Sequence, residues 1–489
     1  MKTRKLGINA LLNISKSIMG MVFPLITYPY ISRVLQAENI GKVNYSTSIV
    51  SYFLLIAMLG INVYATREGA QIRDDREKLE KFVSEVFSLN IITGLFSIGL
   101  LCLTVFLVPN LTPYKSLILI VGLQIPLSVL GADWINMIYE DYFYITIRTI
   151  VFQVVAVIAM FSFVRNQNDC LQYAACTIIA GYGAQLLNVF YTNRYCNKRF
   201  TLKINLKQHF IPIILLFATN LSSLIYSNAD TTMLGWMTSD YNVGIYGTAS
   251  KIYNIFKQLL FAIVVVCLPR FSNMLANSKR EEYEAFAKKM YQAVFLLAIP
   301  LVVAIAILSP NIVDIIAGEG FVDAIPTLRI KCFAILFAIL GYFNMQLVLL
   351  PAKKDGAILK ATLAAGFFNI FANAGLIPLF QENGAAFTTA ISELIVFLIT
   401  KHLVKRITNL NVGCKEIIKT FSATFIMGLL LIFISLQIDN SILCILVAFV
   451  TGLITYFAVQ LLFKNAVLIE FLEMFKMRFR RKVLYEQKP

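Results

Sequence analysis

The feature that most limits this chain is the repeated return of apolar stretches about 18–25 residues long, enough to cross the hydrocarbon of a bilayer as helices. They fall near 11–32, 43–65, 84–108, 117–139, 146–164, 171–192, 210–235, 244–268, 290–316, 325–350, 361–380, 385–403, 420–437 and 441–463. No stretch between them is long enough for a separate soluble domain. Only 14% of the 489 residues are charged and 58% are hydrophobic, whereas soluble chains of ordinary composition are about a quarter charged. A water-soluble multidomain enzyme is excluded, and so are a disordered chain and a disulfide scaffold. The expected fold is an all-α integral membrane protein of about fourteen transmembrane helices. The start, MKTRKLGINALLNISKS, has the basic flank of a signal peptide but lacks a small-x-small cleavage site, so it reads as a retained first span.

Orientation follows from Lys and Arg in alternate loops. Thirty-four of the 43 lie on the side of the N-terminus, in loops 66–83, 193–209, 270–289, 351–360 and 401–419, at Arg148, and in the tail from Lys464. Four, Arg33, Lys42, Lys115 and Arg165, lie on the other side. Both termini are therefore expected in the cytoplasm. The net charge of +16 is topogenic and faces anionic headgroups, with no nucleic acid required. Eight isolated cysteines without a CxxC pair, and two histidines, His209 and His402, offer no metal site.

Residues 39–53, NIGKVNYSTSIVSYF, resemble 242–256, NVGIYGTASKIYNIF, and a weaker echo pairs 141–148 with 355–362. The offsets, 203 and 214, each accommodate six spans, so the repeat unit is a six-helix bundle. Two bundles in the same orientation, related by a pseudo-two-fold axis along the membrane normal, are expected over 1–209 and 210–419. Residues 420–489 add spans 13 and 14 and a basic cytoplasmic tail. Internal symmetry of this kind is a mark of transporters.

Polar groups within hydrocarbon are costly unless they are paired or wet, so their positions nominate a cavity. Span 1 carries Asn9, Asn13, Lys16, Gly20 and Thr27; span 2 carries Asn44, Ser48 and Ser51. Span 7 carries Asn220, Ser223, Ser227 and Asp230; span 8 carries Gly247, Lys251, Asn254 and Gln258. Each stripe alone reads more readily as helix–helix contact, but four on equivalent helices favour a pathway. Lys16 and Lys251 are candidate phosphate contacts, against snorkelling to headgroups. Lys257 points to another face, suited to pairing within its bundle, and Arg329 and Lys331 suit anchoring at the outer interface. Asp133, Asp230 and Glu393 are candidates for carrying a coupling proton or sodium ion, and an interface anchor with Trp134 is an equal reading of Asp133. No P-loop, HExxH, GxSxG or sugar-nucleotide motif sits in a loop that could support chemistry. GYGA at 181–184 is a packing element inside a span, and no cofactor is expected.

Several strings carry a resemblance. FPLITYPYISRVLQAENIGKVNYSTSIVSYF with REGAQIRDD, GADWINMIYEDYFYITIRTIV at 131–151, NADTTMLGWM at 228–237 and FFNIFANAGLIPLFQENGAAFTTAISEL at 367–394 resemble Wzx-type polysaccharide flippases. These belong to the MATE-like superfamily of multidrug, oligosaccharidyl-lipid and polysaccharide exporters. The resemblance implies fourteen helices in two lobes around a central cationic cavity and alternating access between two states. It also implies an undecaprenyl-diphosphate-linked oligosaccharide substrate, an O-antigen or capsular repeat unit, carried from the cytoplasmic to the periplasmic leaflet of the bacterial inner membrane. Lys16, Arg33, Lys42 and Lys251 become its candidate diphosphate ligands, with Asn44, Ser48, Asn220, Ser227 and Asn254 for the sugars. Polysaccharide-assembly proteins are the expected protein partners. A multidrug or cation antiporter of the same fold, whose cavity would be acidic, is the alternative. A membrane-embedded polymerase is a third reading, disfavoured by outer connectors of only about 5–12 residues where catalytic loops would be needed.

Overall fold

The computed structural model describes residues 6–276, 280–408, 410, 413–470 and 473, without the side chains of 6–18, 21, 269, 272, 275, 276 and 280. The described residues are helical with short connectors and contain no strand. A backbone in hydrocarbon must satisfy its own N–H and C=O groups, and a helix does so within one segment. Among the described residues, twelve helices are long and apolar enough to cross a membrane. Two of them are each broken once and supply two spans apiece, which gives the fourteen expected. The helix Leu6–Met58 breaks at Gln36 (φ 62°) into spans 1 and 2, and Asp355–Val404 breaks at Gln381 (φ 52°) into spans 11 and 12. Span 3 is Arg76–Leu107, span 5 Tyr142–Phe163, span 7 Leu206–Met237, span 8 Asp240–Ala276 and span 9 Arg280–Ala317. Span 4 is segmented as Lys115–Gly122, Gln124–Gly131 and Asp133–Ile138. Span 6 runs from Cys170–Ile178 through a π turn at Ile179–Gly183 to Ala184–Tyr191. Span 10 is Ala324–Phe343, continued by a π turn, and spans 13 and 14 are Cys414–Gln437 and Ser441–Leu462.

Large apolar side chains cover the outside: Phe96, Leu103 and Phe106 on span 3, Val154 and Ile158 on span 5, Phe425 and Phe433 on span 13, Phe449 and Ile454 on span 14. A monomer in water does not expose apolar surface on this scale. Hydrocarbon is the solvent of these faces, and the protein is a multi-pass membrane protein.

The chain groups into two compact units: residues 1–247 with 316–320 and 377–382, and residues 248–315, 321–376 and 383–489. The division falls inside span 8, whereas the sequence repeat divides the chain at 209/210; packing and repetition are separate properties here. In the first unit a buried cluster of Ile61, Tyr64, Phe82, Val86, Trp134, Ile138 and Ile213 ties spans 3, 4 and 7 to the short helix Ile61–Gln71. In the second, Tyr456 of span 14 donates to the Leu296 carbonyl of span 9 at 2.6 Å, and Gly428 of span 13 rests on Val303 and Ile307.

The 203-residue offset has a physical counterpart within the first unit. A Cβ on Gly41 would collide with the Asp240 carbonyl, and one on Gly244 with the Ala37 carbonyl. The offset carries 41 to 244 and 37 to 240, so it exchanges these two contacts, as a two-fold axis does. Asn44, whose amide fills the space beside Gly247, is the offset partner of the residue it touches and so lies at the axis. The break at Gln36 maps onto the break between spans 7 and 8, and Asp141 at the start of span 5 maps onto Asp355 at the start of span 11. Small residues let two backbones approach this closely. Gly244→Ala should therefore destabilise the detergent-solubilised protein by roughly 3 kcal/mol, the upper range for overpacking. Gly99→Ala on span 3, which meets nothing within 4 Å, should leave the thermal midpoint unchanged or slightly raised.

Candidate functional site: the intramembrane polar groups

Much of the polar stripe on span 2 is used to bind span 7. Thr232 Oγ1 donates to Ser48 Oγ at 3.2 Å, Asn228 Nδ2 to Ser51 Oγ at 2.7 Å, and Tyr52 shares a 3.3 Å bond with Thr232. Ser48 in turn donates to the Tyr45 carbonyl at 2.8 Å. Asn220, Ser223 and Ser227 share another, exposed face of span 7, at spacings of three and four, and Ser227 donates back to the Ser223 carbonyl at 3.0 Å. Asp230 is buried and accepts from Tyr246 of span 8.

The candidate cations stand in different surroundings. The side chains of Asn9, Asn13 and Lys16 lie outside the described residues. Arg33 is exposed, donates to the Pro29 carbonyl at 2.7 Å and packs against Gly318. Lys42 forms an ion pair with Glu38 at 2.8 Å, one helical turn away. In the second unit Lys251 is half-buried and shares a face of span 8 with exposed Asn254 and Gln258. Lys257 turns to another face and meets Glu393 of span 12 at 3.7 Å, as suited a pairing within its bundle, and Tyr253 donates to the same carboxylate at 3.1 Å. Arg329 is exposed and donates to Ser309 Oγ at 2.9 Å. Lys331 departs from the expected interfacial anchor: it is 3% exposed and donates to Ser250 Oγ at 2.7 Å. Its position along span 10 does not set the direction of its side chain, and here the ammonium turns into the bundle.

The first unit also holds buried ionisable groups that periodicity missed. Arg148, counted with the basic side although it falls in the expected stretch 146–164, lies inside span 5, is 4% exposed and pairs with Asp133. Gln185 and Asn188 of span 6 complete that carboxylate's bonds. His209, at the start of span 7, is 1% exposed, with Nδ1 bonded to Tyr64 at 2.7 Å and Nε2 to Glu85 at 3.1 Å. The polar pair Gln185 and Asn188, spaced three apart in span 6, was the available signal for the first cluster; nothing local marked the second. Trp134 is fully buried, so it is not an interface anchor.

On the basic side, the connector between the repeats runs along span 3. The N–H groups of Asn197, Arg199 and Thr201 donate to Glu80, Ser84 and Ser88 at 3.4, 3.2 and 2.8 Å, and Asn205 N donates to Glu85 at 2.9 Å. Alternate residues of an extended segment thus meet every fourth residue of a helix. Asp141 beside it accepts from Tyr191 and Tyr195 at 2.7 and 2.6 Å. Burial opposes ionisation there, but these phenolic donors and the Tyr144 N–H outweigh it and hold the carboxyl below its usual value.

Residues 6–275 match the family described as "Polysaccharide biosynthesis protein". The chain belongs to that family. A putative O-antigen transporter of Escherichia coli K12 is 23% identical over 77% of this chain and 91% of its own length. The capsular polysaccharide biosynthesis protein CapF of Staphylococcus aureus is 23% identical over 76% and 92%. A probable low-salt glycan biosynthesis flippase of Haloferax volcanii, Agl15, is 24% identical over 50% and 52%. Among solved structures, the lipid II flippase MurJ in an inward closed conformation aligns over 94% of this chain and 99% of its own, with a TM-score of 0.73 and 16% identity. An inward-facing multidrug resistance MATE transporter aligns over 81% and 98%, with a TM-score of 0.64 and 12% identity. The fold is that of the MATE-like superfamily, and the resemblance to Wzx-type flippases holds. The relatives and the first of these structures that carry a functional name are described as transporters or flippases.

Lys198, in the connector, is half-buried over the Phe87 ring, and burial lowers its pKa from 10.5 to about 8. A depressed lysine pKa means that the fold disfavours the charged form. That cost is fully present below about pH 8 and disappears as pH rises from about 8 to 10.5, because the unfolded chain keeps its proton longer. Lys198→Met should raise the thermal midpoint at pH 7 and flatten its rise between pH 8 and 10, as followed by the melting of purified protein.

Proposed function

We propose that the protein is a flippase that carries an undecaprenyl-diphosphate-linked oligosaccharide repeat unit, of O-antigen or capsule, from the cytoplasmic to the periplasmic leaflet of the inner membrane. Relatives named O-antigen transporter and glycan flippase support the substrate class, and the basic loops support cytoplasmic termini. The observation that carries the reading is the polar face of span 8, where Lys251 stands with Asn254 and Gln258 inside an apolar span.

In this reading Lys251 and Lys16 supply point-charge contacts to the diphosphate. Asn254, Asn220 and Ser227 offer hydrogen bonds to sugar hydroxyls through exposed side chains. The polyprenyl tail remains in lipid, because only the phosphorylated head needs a polar route. Arg33 and Lys42, at the outer end, meet the headgroup late in the passage, and Lys42 must first exchange its Glu38 partner. Ser48 and Asn44 keep spans 2, 7 and 8 in register for the cavity. A proton or sodium ion taken up at Asp230 or Glu393 couples the cycle, and assembly proteins receive the flipped unit. An antiporter for organic cations would be expected to line its route with acidic groups, whereas the polar face of span 8 carries Lys251.

Lys251→Ala should leave the protein in the membrane at wild-type levels and abolish surface polysaccharide, while lipid-linked repeat units accumulate in the cytoplasmic leaflet. Full-length surface polymer made by a stably inserted Lys251→Ala protein overturns the assignment. Efflux of cationic dyes by the wild type would move the chain to the antiporter reading.

A further inference from the structure

One cluster in the first unit is not used by the transport reading. Span 4 is interrupted at Ala132 (φ 46°, ψ 52°), which separates Gln124–Gly131 from Asp133–Ile138. Asn188 bridges the interruption, with Nδ2 donating to the Gly131 carbonyl at 2.5 Å and to Asp133 Oδ1 at 3.1 Å. Gln185 Nε2 donates to Asp133 Oδ2 at 2.7 Å, one residue after Ala184 begins the helix beyond the π turn. Arg148 Nη2 donates to Asp133 Oδ1, its guanidinium lies 5.1 Å from the Tyr144 ring centroid, and its buried Nε and Nη1 have no hydrogen-bond partner among the described residues.

A carboxylate at a broken membrane helix, with side-chain amides and freed backbone carbonyls around it, is the chemistry by which transporters hold an exchangeable cation. Here a cation is already present and covalently part of the chain. A guanidinium remains protonated at any physiological pH. It cancels the charge of Asp133 without taking a proton or ion from solution. Among the described residues, Arg148 of span 5, beside the Tyr144 ring, and Gln185 and Asn188 of span 6 meet Asp133.

We propose that Arg148 is a resident counter-ion that holds the interruption of span 4 in place through Asp133, so that Asp133 positions this helix and takes no part in ion coupling. The inference rests on the flippase reading above. It makes Arg148 a positioning residue, and it leaves coupling to carboxylates elsewhere.

The test uses the full chain in a strain lacking its chromosomal copy, and in proteoliposomes with a fluorophore-labelled polyprenyl-diphosphate disaccharide. Asp133→Asn and Arg148→Gln singly strand one buried charged or polar partner and should lower the thermal midpoint and surface polysaccharide together. The double variant Asp133→Asn/Arg148→Gln removes both charges and should recover surface polysaccharide to within about threefold of wild type, since paired sites couple rather than add. A double variant that melts like wild type but makes no polymer overturns the proposal, because only the titratable carboxylate would then be missing. The folded fraction of Asp133→Asn gives a second measure that does not need the double variant. Its flipping per folded molecule should keep the wild-type response to an imposed proton or sodium gradient, and loss of that response assigns Asp133 to coupling. A wild-type protein that neither restores polysaccharide nor flips the probe defeats the flippase reading itself.

Discussion

A charge in hydrocarbon has to find a partner, and this requirement arranges most of the molecule's interior. Burying an ion alone costs several kcal/mol, and breaking a buried pair leaves that cost uncompensated. Accordingly Arg148 meets Asp133 and Lys257 meets Glu393, and the buried His209 ring is hydrogen-bonded to Glu85. Each pairing joins different helices, so charges that lower the affinity of individual spans for lipid become the contacts that specify which spans pack together. The apolar faces, by contrast, fit lipid and protein about equally well and carry little of that information.

Where the helices run was legible in the sequence, because it depends on length and hydropathy, both local quantities. Fourteen apolar stretches became fourteen spans, and the breaks at Gln36 and Gln381 fell in connectors already implied by the pattern. The repeat was also legible: Asn39, Gly41 and their counterparts Asn242 and Gly244 match because both copies serve the same close crossing. Its meaning was not. Gly41 and Gly244 were markers of similarity in the sequence, and in the fold each makes room for the other copy's backbone.

What periodicity could not supply was the neighbour of a polar face. The stripe of Ser48 and Ser51 was correctly located yet turned out to bond span 7, while Ser227, one residue from Asn228, lies on an exposed face of the same helix. A shift of one residue rotates a side chain by about 100° around a helix, which decides between packing and exposure. Arg148 illustrates the same difficulty for charge. Counting assigned it to the basic side, and only the approach of spans 4 and 6 shows its side chain buried against its carboxylate.

The connector on the basic side has a mechanical consequence. A slack loop between repeats could absorb movement, but this one is stretched along span 3 and fastened at Glu80, Ser84, Glu85 and Ser88, with His209 closing the far end. It is a strut that ties the start of span 7 to span 3. Three residues beyond His209, Pro212 lacks the N–H that would tie it to the preceding turn, so a helix can flex there with one fewer bond to sacrifice.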